Sequence, residues 1–195
     1  RSSDLTYGAE EETIARWLAR SALIASRDGI EYWLWYTFFD SEPEPDQPTD
    51  NWSNFFGLFG WPGDAAEPRR TKPAWHALKG LSDVLGDAHF VRDLSKTLEL
   101  PDDVYVLGFM RPDGVRMLAA WDGREEPDRI DGKTQEGGPE TTFELTLPLP
   151  PAAQAVKIYD INGAEIAAES AFSSTPEPTL SLTLDISVRY VEIQE

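Results

Sequence analysis

The spacing of apolar residues changes near residue 87, and this change limits the possible folds more than any other feature of the chain. Before this point apolar residues recur at helical spacing, whereas after it they recur with a period of two, as in β-strands. The sequence therefore predicts an α/β part at residues 1–87 and an all-β part at residues 88–195. A chain of 195 residues is long enough for one large domain or two small ones.

The first part is predicted to form a helix, a strand and a second helix. Residues 10–27 have apolar side chains at helical spacing, and a glycine follows as a stop signal. Residues 30–39 are almost wholly aromatic or β-branched, which is typical of a strand buried on both faces of a parallel sheet. A long connection rich in Pro, Gly and Asp covers residues 40–71. Pro73 then opens the second helix, and Gly86 closes it.

The second part is predicted to contain seven or eight short strands. Two turn signals separate strand pairs: Arg-Pro-Asp-Gly at 111–114, where proline presets one dihedral angle, and Asn-Gly at 162–163, the strongest short hairpin signal. Such a series is typical of an antiparallel β-sandwich. The predicted strands cover residues 89–94, 104–110, 115–121, 143–149, 156–161, 164–168, 180–186 and 189–193.

The α/β part is not expected to form a closed sheet by itself. One doubly buried strand leaves two unpaired edges, and a complete eight-stranded barrel takes about 250 residues. We therefore expect the other strands to come from residues upstream of Arg1 or from another chain.

Several segments together resemble a known class of enzymes. EEETIARWL at 10–18, GIEYWLWY at 29–36, and Gly-Leu-Phe at 57–59 leading into KPAWHAL at 72–78 follow one another in this order. This order resembles the C-terminal end of clan A glycoside hydrolases, the retaining barrel enzymes that include xylosidase/iduronidase-like and cellulase-like families. The Tyr-Val-Glu ending at 190–192 is similar to the closing strand of their accessory β-sandwich. The resemblance implies the last helix-strand-helix of a (β/α)8 barrel followed by that sandwich.

The resemblance also implies a reaction, the hydrolysis of a glycosidic bond with retention of configuration in a poly- or oligosaccharide or glycoside. Such hydrolysis needs two carboxyl groups about 5 Å apart, one as acid and base and one as nucleophile. In the family these are glutamates at the ends of the fourth and seventh strands, and both positions would precede Arg1. No catalytic residue is therefore expected in this chain, and the chain alone is predicted to be inactive.

Four residues are predicted to bind the carbohydrate. The family has an aromatic floor near the end of its eighth strand, where Trp35 and Tyr36 lie, and flat rings cover the apolar faces of sugars. The alternative for Trp35 is barrel core. Asp40 follows the strand at the end where loops build the site, so it is a candidate hydrogen-bond acceptor or a loop cap. Trp52 lies in the long connection and either lines the cleft or packs the loop.

The charge balance excludes two kinds of partner. With 35 acidic and 17 basic residues the net charge is -18, so nucleic acid and an anionic membrane would both be repelled. No stretch is apolar and long enough to span a bilayer. The absence of cysteine excludes disulfides and thiolate metal sites, and His76 and His89 show no paired spacing, so no metal or cofactor is expected. The localisation stays open, an extracellular one included.

A different class of function also stays open. The sandwich would then be a non-catalytic carbohydrate-binding or spacer module, with the α/β part as an adaptor. Tyr105, Trp121 and Tyr159 are its candidate sugar-stacking residues, although aromatic residues in strands usually belong to the core. Residues 85–90 contain no Pro/Ser-rich spacer, so we expect the two parts to be docked on each other.

Overall fold

A computed structural model describes residues 5–40, 56–60, 70–123, 142–166, 172–173 and 177–195. Within these residues the chain forms two helices and nine strands. The helices are α1 (Leu5–Arg27) and α2 (Pro73–Leu85). The strands are β1 (His89–Asp93), β2 (Val104–Met110), β3 (Arg116–Asp122), β4 (Phe143–Pro148), β5 (Ala155–Tyr159), β6 (Glu165–Ile166), β7 (Phe172–Ser173), β8 (Thr179–Leu184) and β9 (Arg189–Gln194).

The strands form two antiparallel sheets. The larger sheet has the order β1-β2-β3-β9-β5-β6, and the smaller has the order β4-β8-β7. Both predicted turns are present: Gly114 joins β2 to β3 with a φ of 87°, and Gly163 joins β5 to β6 with a φ of 79°. Glycine adopts these positive angles without the steric cost of a side chain. Each of the eight predicted strands has a counterpart, while the two-residue β7 was not predicted.

The six-stranded sheet is buried on both faces, so the described residues form three layers. In β3 the side chains of Met117, Ala119 and Trp121 belong to the core shared with the helices. The intervening side chains of Leu118 and Ala120 belong to the core between the two sheets. This alternation follows from the period of two in a strand. The small sheet, the large sheet and the helix pair therefore stack in that order.

Several contacts fix the helices on the large sheet. Ala15 and Leu23 of α1 lie in the same core as Trp121. Arg20 of α1 donates a hydrogen bond to the carbonyl of Ile186, between β8 and β9. The two parts of the chain thus share one hydrophobic core, as the short link between them predicts. Among the described residues, no helix is long and apolar enough to cross a membrane.

Residues 30–40, here called the aromatic segment, differ from the prediction. The doubly buried strand predicted at 30–39 is wrong for this structure: within the segment only Phe39 forms a β-bridge, parallel to Phe59. Alternate side chains point away from the protein, and Tyr32 and Leu34 are 83% and 91% exposed. The physical reason is that no described strand lies beside the segment or over its outer face, so the described residues form no barrel. The exposed row consists of Ile30, Tyr32, Leu34, Tyr36 and Phe38.

Candidate functional site

The inner face of the aromatic segment packs under both helices. Ile14 and Leu18 of α1 and Ala74 of α2 form a buried cluster, and Trp33 and Trp35 pack against it. The remaining side chains in this cluster come from residues 56–59 and from the start of α2. The segment is therefore held from the helix side, while its outer face meets solvent.

Trp35 lies on the helix side of the segment. Its indole Nε1–H donates a hydrogen bond of 2.9 Å to the carbonyl oxygen of Phe56, and its ring meets the Phe56 ring edge to face at 6.1 Å. The Trp33 ring lies 5.9 Å away on the same side. The N–H that would reach a sugar hydroxyl is thus already used, and the ring contributes to loop and helix packing.

Tyr36 lies on the opposite face. It is 73% exposed and belongs to the exposed row, two residues from Leu34 and four from Tyr32. Adjacent residues of an extended chain point to opposite faces, so Trp35 and Tyr36 cannot both face one ligand from this backbone. The structure separates these two predicted site residues, and Tyr36 is the one with a free ring face.

Asp40 ends the aromatic segment in a buried ion pair. Its carboxylate accepts hydrogen bonds from Lys72 Nζ at 2.9 and 3.0 Å and from the backbone N–H of Gly57 at 2.8 Å. Asp40 is 6% exposed and Lys72 is fully buried. A carboxylate of Glu11 lies 3.6 Å from the Lys72 ammonium. These contacts tie the end of the segment to the start of α2 and to α1.

Two opposing effects act on the Asp40 carboxyl. Burial raises its pKa, because it penalises the charged form, whereas the hydrogen bonds and charge of Lys72 and the N–H of Gly57 lower it. Burial is the largest of these, and the pKa of Asp40 is raised overall. Gly57 is required for this geometry, because a Cβ there would lie 2.3 Å from the Asp40 nitrogen and 2.6 Å from its Oδ1.

The structure brings two of the four predicted site residues onto one short stretch of chain. Trp35 is bonded to Phe56 and Asp40 to Gly57, while Tyr36 faces away and Trp52 lies outside the described residues. Sequence reasoning missed Lys72 as the partner of Asp40. The available signal was a lysine directly before the Pro-Ala of α2 in a chain with few lysines, since the helix dipole disfavours a cation at the start of a helix and an acidic partner would offset that cost.

The candidate sugar-stacking residues of the sandwich are packed within the protein and are not exposed for contact with a ligand. The rings of Tyr105 and Trp121 stack at 4.6 Å with an interplanar angle of 13°, and Trp121 is 1% exposed. Tyr159 donates a hydrogen bond of 3.4 Å to Glu192, and burial raises the pKa of Tyr159. Among the described residues, no group of three or more His, Cys, Asp or Glu side chains is placed to hold a metal ion.

Comparison with known proteins gives similarity to solved structures alone. No protein-family model and no curated protein matches the chain. Among solved structures, the chain is similar to the catalytic domain of GH30 xylanase C from Talaromyces cellulolyticus, with 16% sequence identity and a TM-score of 0.49. The match covers 72% of this chain and 28% of the xylanase chain, so this chain spans less than a third of that structure.

Proposed function

We propose that this chain is the C-terminal portion of a retaining glycoside hydrolase that acts on a poly- or oligosaccharide or glycoside. The aromatic segment would be one strand of a barrel completed by upstream residues or by another chain. The observation that carries the proposal is the exposed row, a line of large apolar side chains on an extended segment whose other face is packed under two helices.

The backbone of the segment supports the same reading. Between Glu31 and Tyr36 no backbone group is hydrogen-bonded to another described residue, although the flanking Ile30 N–H donates to the Ala25 carbonyl and Thr37 and Phe38 accept from Leu58. An extended run with unpaired N–H and C=O groups is a template for strand pairing. Strands on both sides would satisfy these groups and cover the row, and burial of a large apolar side chain contributes about 1.5–3 kcal/mol.

The packing also supports an assignment of the two faces of the segment within the proposed barrel. Barrel helices surround the strands on the outside, so the face covered by α1 and α2 corresponds to the outer side and the exposed row to the interior. Tyr36, near the end of the segment, then contacts the sugar directly, and Trp35 supports that region from the helix side. Asp40 anchors the chain where it leaves the strand. Trp52 stays a proposed cleft residue outside the described residues. The catalytic glutamates would lie upstream of Arg1.

A direct test compares two forms of the protein on a panel of 4-nitrophenyl glycosides. We expect a form that extends about 160 residues upstream, enough with residues 1–87 to complete a barrel of about 250, to hydrolyse at least one of them with retention, read by NMR of the released anomer. The present chain should hydrolyse none. In the longer form Tyr36→Ala should lower kcat/KM at least tenfold, with Tyr32→Ala as the matched control deeper in the strand. Hydrolysis by the present chain, or none by the longer form, contradicts the proposal.

The alternative of a carbohydrate-binding sandwich has less support. Trp121 is buried in the core, Tyr105 stacks on it, and Tyr159 is half-buried against the same core, so the three rings contribute to packing within the sandwich.

A further inference from the structure

A cleft of 490 Å³ opens at one end of the sandwich, between the two sheets. It lies beside β1 and β4, each of which is the terminal strand of its sheet. The lining is largely aliphatic, and this volume is within the range of small-molecule sites, about 300–1,000 Å³. The apolar side chains that meet across it include Leu94, Leu98, Leu118, Leu147, Leu149 and Ile193.

The charged residues of this sandwich cleft are both cationic. Among its described lining residues these are Arg92 and Arg116, and no acidic side chain lines it, although the chain has twice as many acids as bases. Arg116 is paired with Glu195 at 2.9 Å. Arg92 is exposed, and within the described part of the chain its guanidinium makes no hydrogen bond or ion pair. One arginine at an apolar cleft is therefore available to an anion.

We propose that the sandwich cleft binds a small amphipathic carboxylate, with its apolar body between the sheets and its carboxylate at Arg92. Arginine pairs well with carboxylates because its planar fork of donors matches their two oxygens. The lining suits a sugar poorly, since Thr97 is its one hydroxyl-bearing residue and Phe109 its one aromatic residue among those described. This site does not depend on the proposed glycosidase and lies in a different layer of the fold.

Gly108 offers a way to fill the cleft. A Cβ added there would lie 3.6 Å from Arg92 Cγ and 3.9 Å from Leu94 Cδ1, both in lining residues, and 3.5 Å from the Arg92 carbonyl oxygen. These are ordinary van der Waals distances, so alanine fits. Valine, which is favoured in strands, would extend further into the space that a ligand needs.

The probe is octanoate, titrated into the chain while methyl NMR shifts of Leu94 and Ile193 are followed. A ligand of this size is expected to bind in the millimolar range. Octyltrimethylammonium, with an alkyl tail of similar length and the opposite charge, should bind more weakly. Arg92→Gln should weaken octanoate binding about fivefold, the scale of an exposed ion pair. Gly108→Val should weaken it at least tenfold.

Two matched controls distinguish binding at this site from nonspecific binding of octanoate elsewhere on the protein. Arg27→Gln removes an arginine of α1, and Leu34→Ser removes the most exposed side chain of the exposed row; both should leave the octanoate affinity unchanged. Equal binding of both amphiphiles, loss of binding in Leu34→Ser, or unchanged binding in Arg92→Gln overturns the proposal. If Gly108→Val proves unfolded by circular dichroism, Arg92→Gln and the comparison of the two amphiphiles decide.

Discussion

The contact between α2 and the β5–β6 turn allows two opposing effects of one substitution to be compared. At Gly80 of α2 an added Cβ would lie 2.3 Å from the carbonyl carbon of Asn162, 2.5 Å from the nitrogen of Gly163 and 2.6 Å from the carbonyl oxygen of Ile161. All three are backbone atoms, so no side-chain rotation relieves the clash. The helix or the turn must move by about 1 Å to restore ordinary contact distances.

The magnitude follows from the difference between these effects. Gly→Ala inside a helix stabilises by about 1 kcal/mol, because alanine has the higher helix propensity. Overpacking a tight contact costs about 1–3 kcal/mol, and here it shifts backbone in the core that joins the helices to the large sheet. Taking the upper figure, Gly80→Ala should lower the free energy of unfolding by about 2 kcal/mol. For a chain of this length that lowers Tm by about 4–8 °C.

The assay is urea unfolding of the purified chain followed by circular dichroism, with Tm as a second readout. Ser82→Ala is the matched control, because Ser82 is an exposed residue of the same helix. It should raise stability by about 0.5 kcal/mol through propensity alone. If Gly80→Ala is as stable as Ser82→Ala, then the helix does not lie against the turn, and the reasoning from this contact is refuted.

Three further predictions concern the aromatic segment. Burial raises the pKa of Asp40, so the folded chain binds the proton of this carboxyl group more tightly than the unfolded chain does. The contribution of Asp40 to stability is therefore largest at pH values below its ordinary pKa of 3.8, and it falls as the pH rises through the raised pKa. Urea unfolding should show the stability of wild type relative to Asp40→Asn declining over that range; a constant difference contradicts the argument. In the same assay Trp35→Ala should lower the free energy of unfolding by about 2 kcal/mol and Tyr36→Ala by less than about 0.5 kcal/mol, because only Trp35 is packed. Equal losses in the two variants would be inconsistent with the assigned faces. The exposed apolar row is expected to cause self-association of the chain, and Leu34→Ser should reduce it in sedimentation velocity because it interrupts the patch; a wild-type chain that stays monomeric, or an unchanged profile in the variant, contradicts this.

The strands and helices were largely predictable because their signals are local. The turns at 111–114 and 162–163 contain the proline and glycines that those turn geometries require, and the strands beside them have a period of two. Gly86 ends α2 where the sequence predicts. By contrast β7 has two residues, too few to show any period, and its existence depends on pairing with β8.

The candidate site was less predictable, because its geometry depends on faces and on distant partners. Counting residues fixes the position of Trp35 along the segment. Which face its side chain occupies depends on the alternation of side chains along an extended chain, and a shift of one residue reverses the face. No local sequence signal shows whether the odd-numbered or the even-numbered side chains face the helices. Asp40 and Lys72 are separated by more than thirty positions, and their pairing results from the return of the chain to α2.

The asymmetry of the aromatic segment links its packing to the proposed function. The Ile30 N–H is bonded to the Ala25 carbonyl, Trp35 to Phe56, and Asp40 to Lys72, so the segment is fixed at both ends and near its middle. Each of these contacts lies on the helix side or at an end, and none covers a side chain of the exposed row. A partner strand would therefore pair with a backbone that is already extended. The aromatic segment would lose little further conformational entropy on pairing, so this entropy would not oppose assembly. The contacts that withdraw Trp35 and Asp40 from a ligand are thus the same contacts that present Tyr36 and the exposed row.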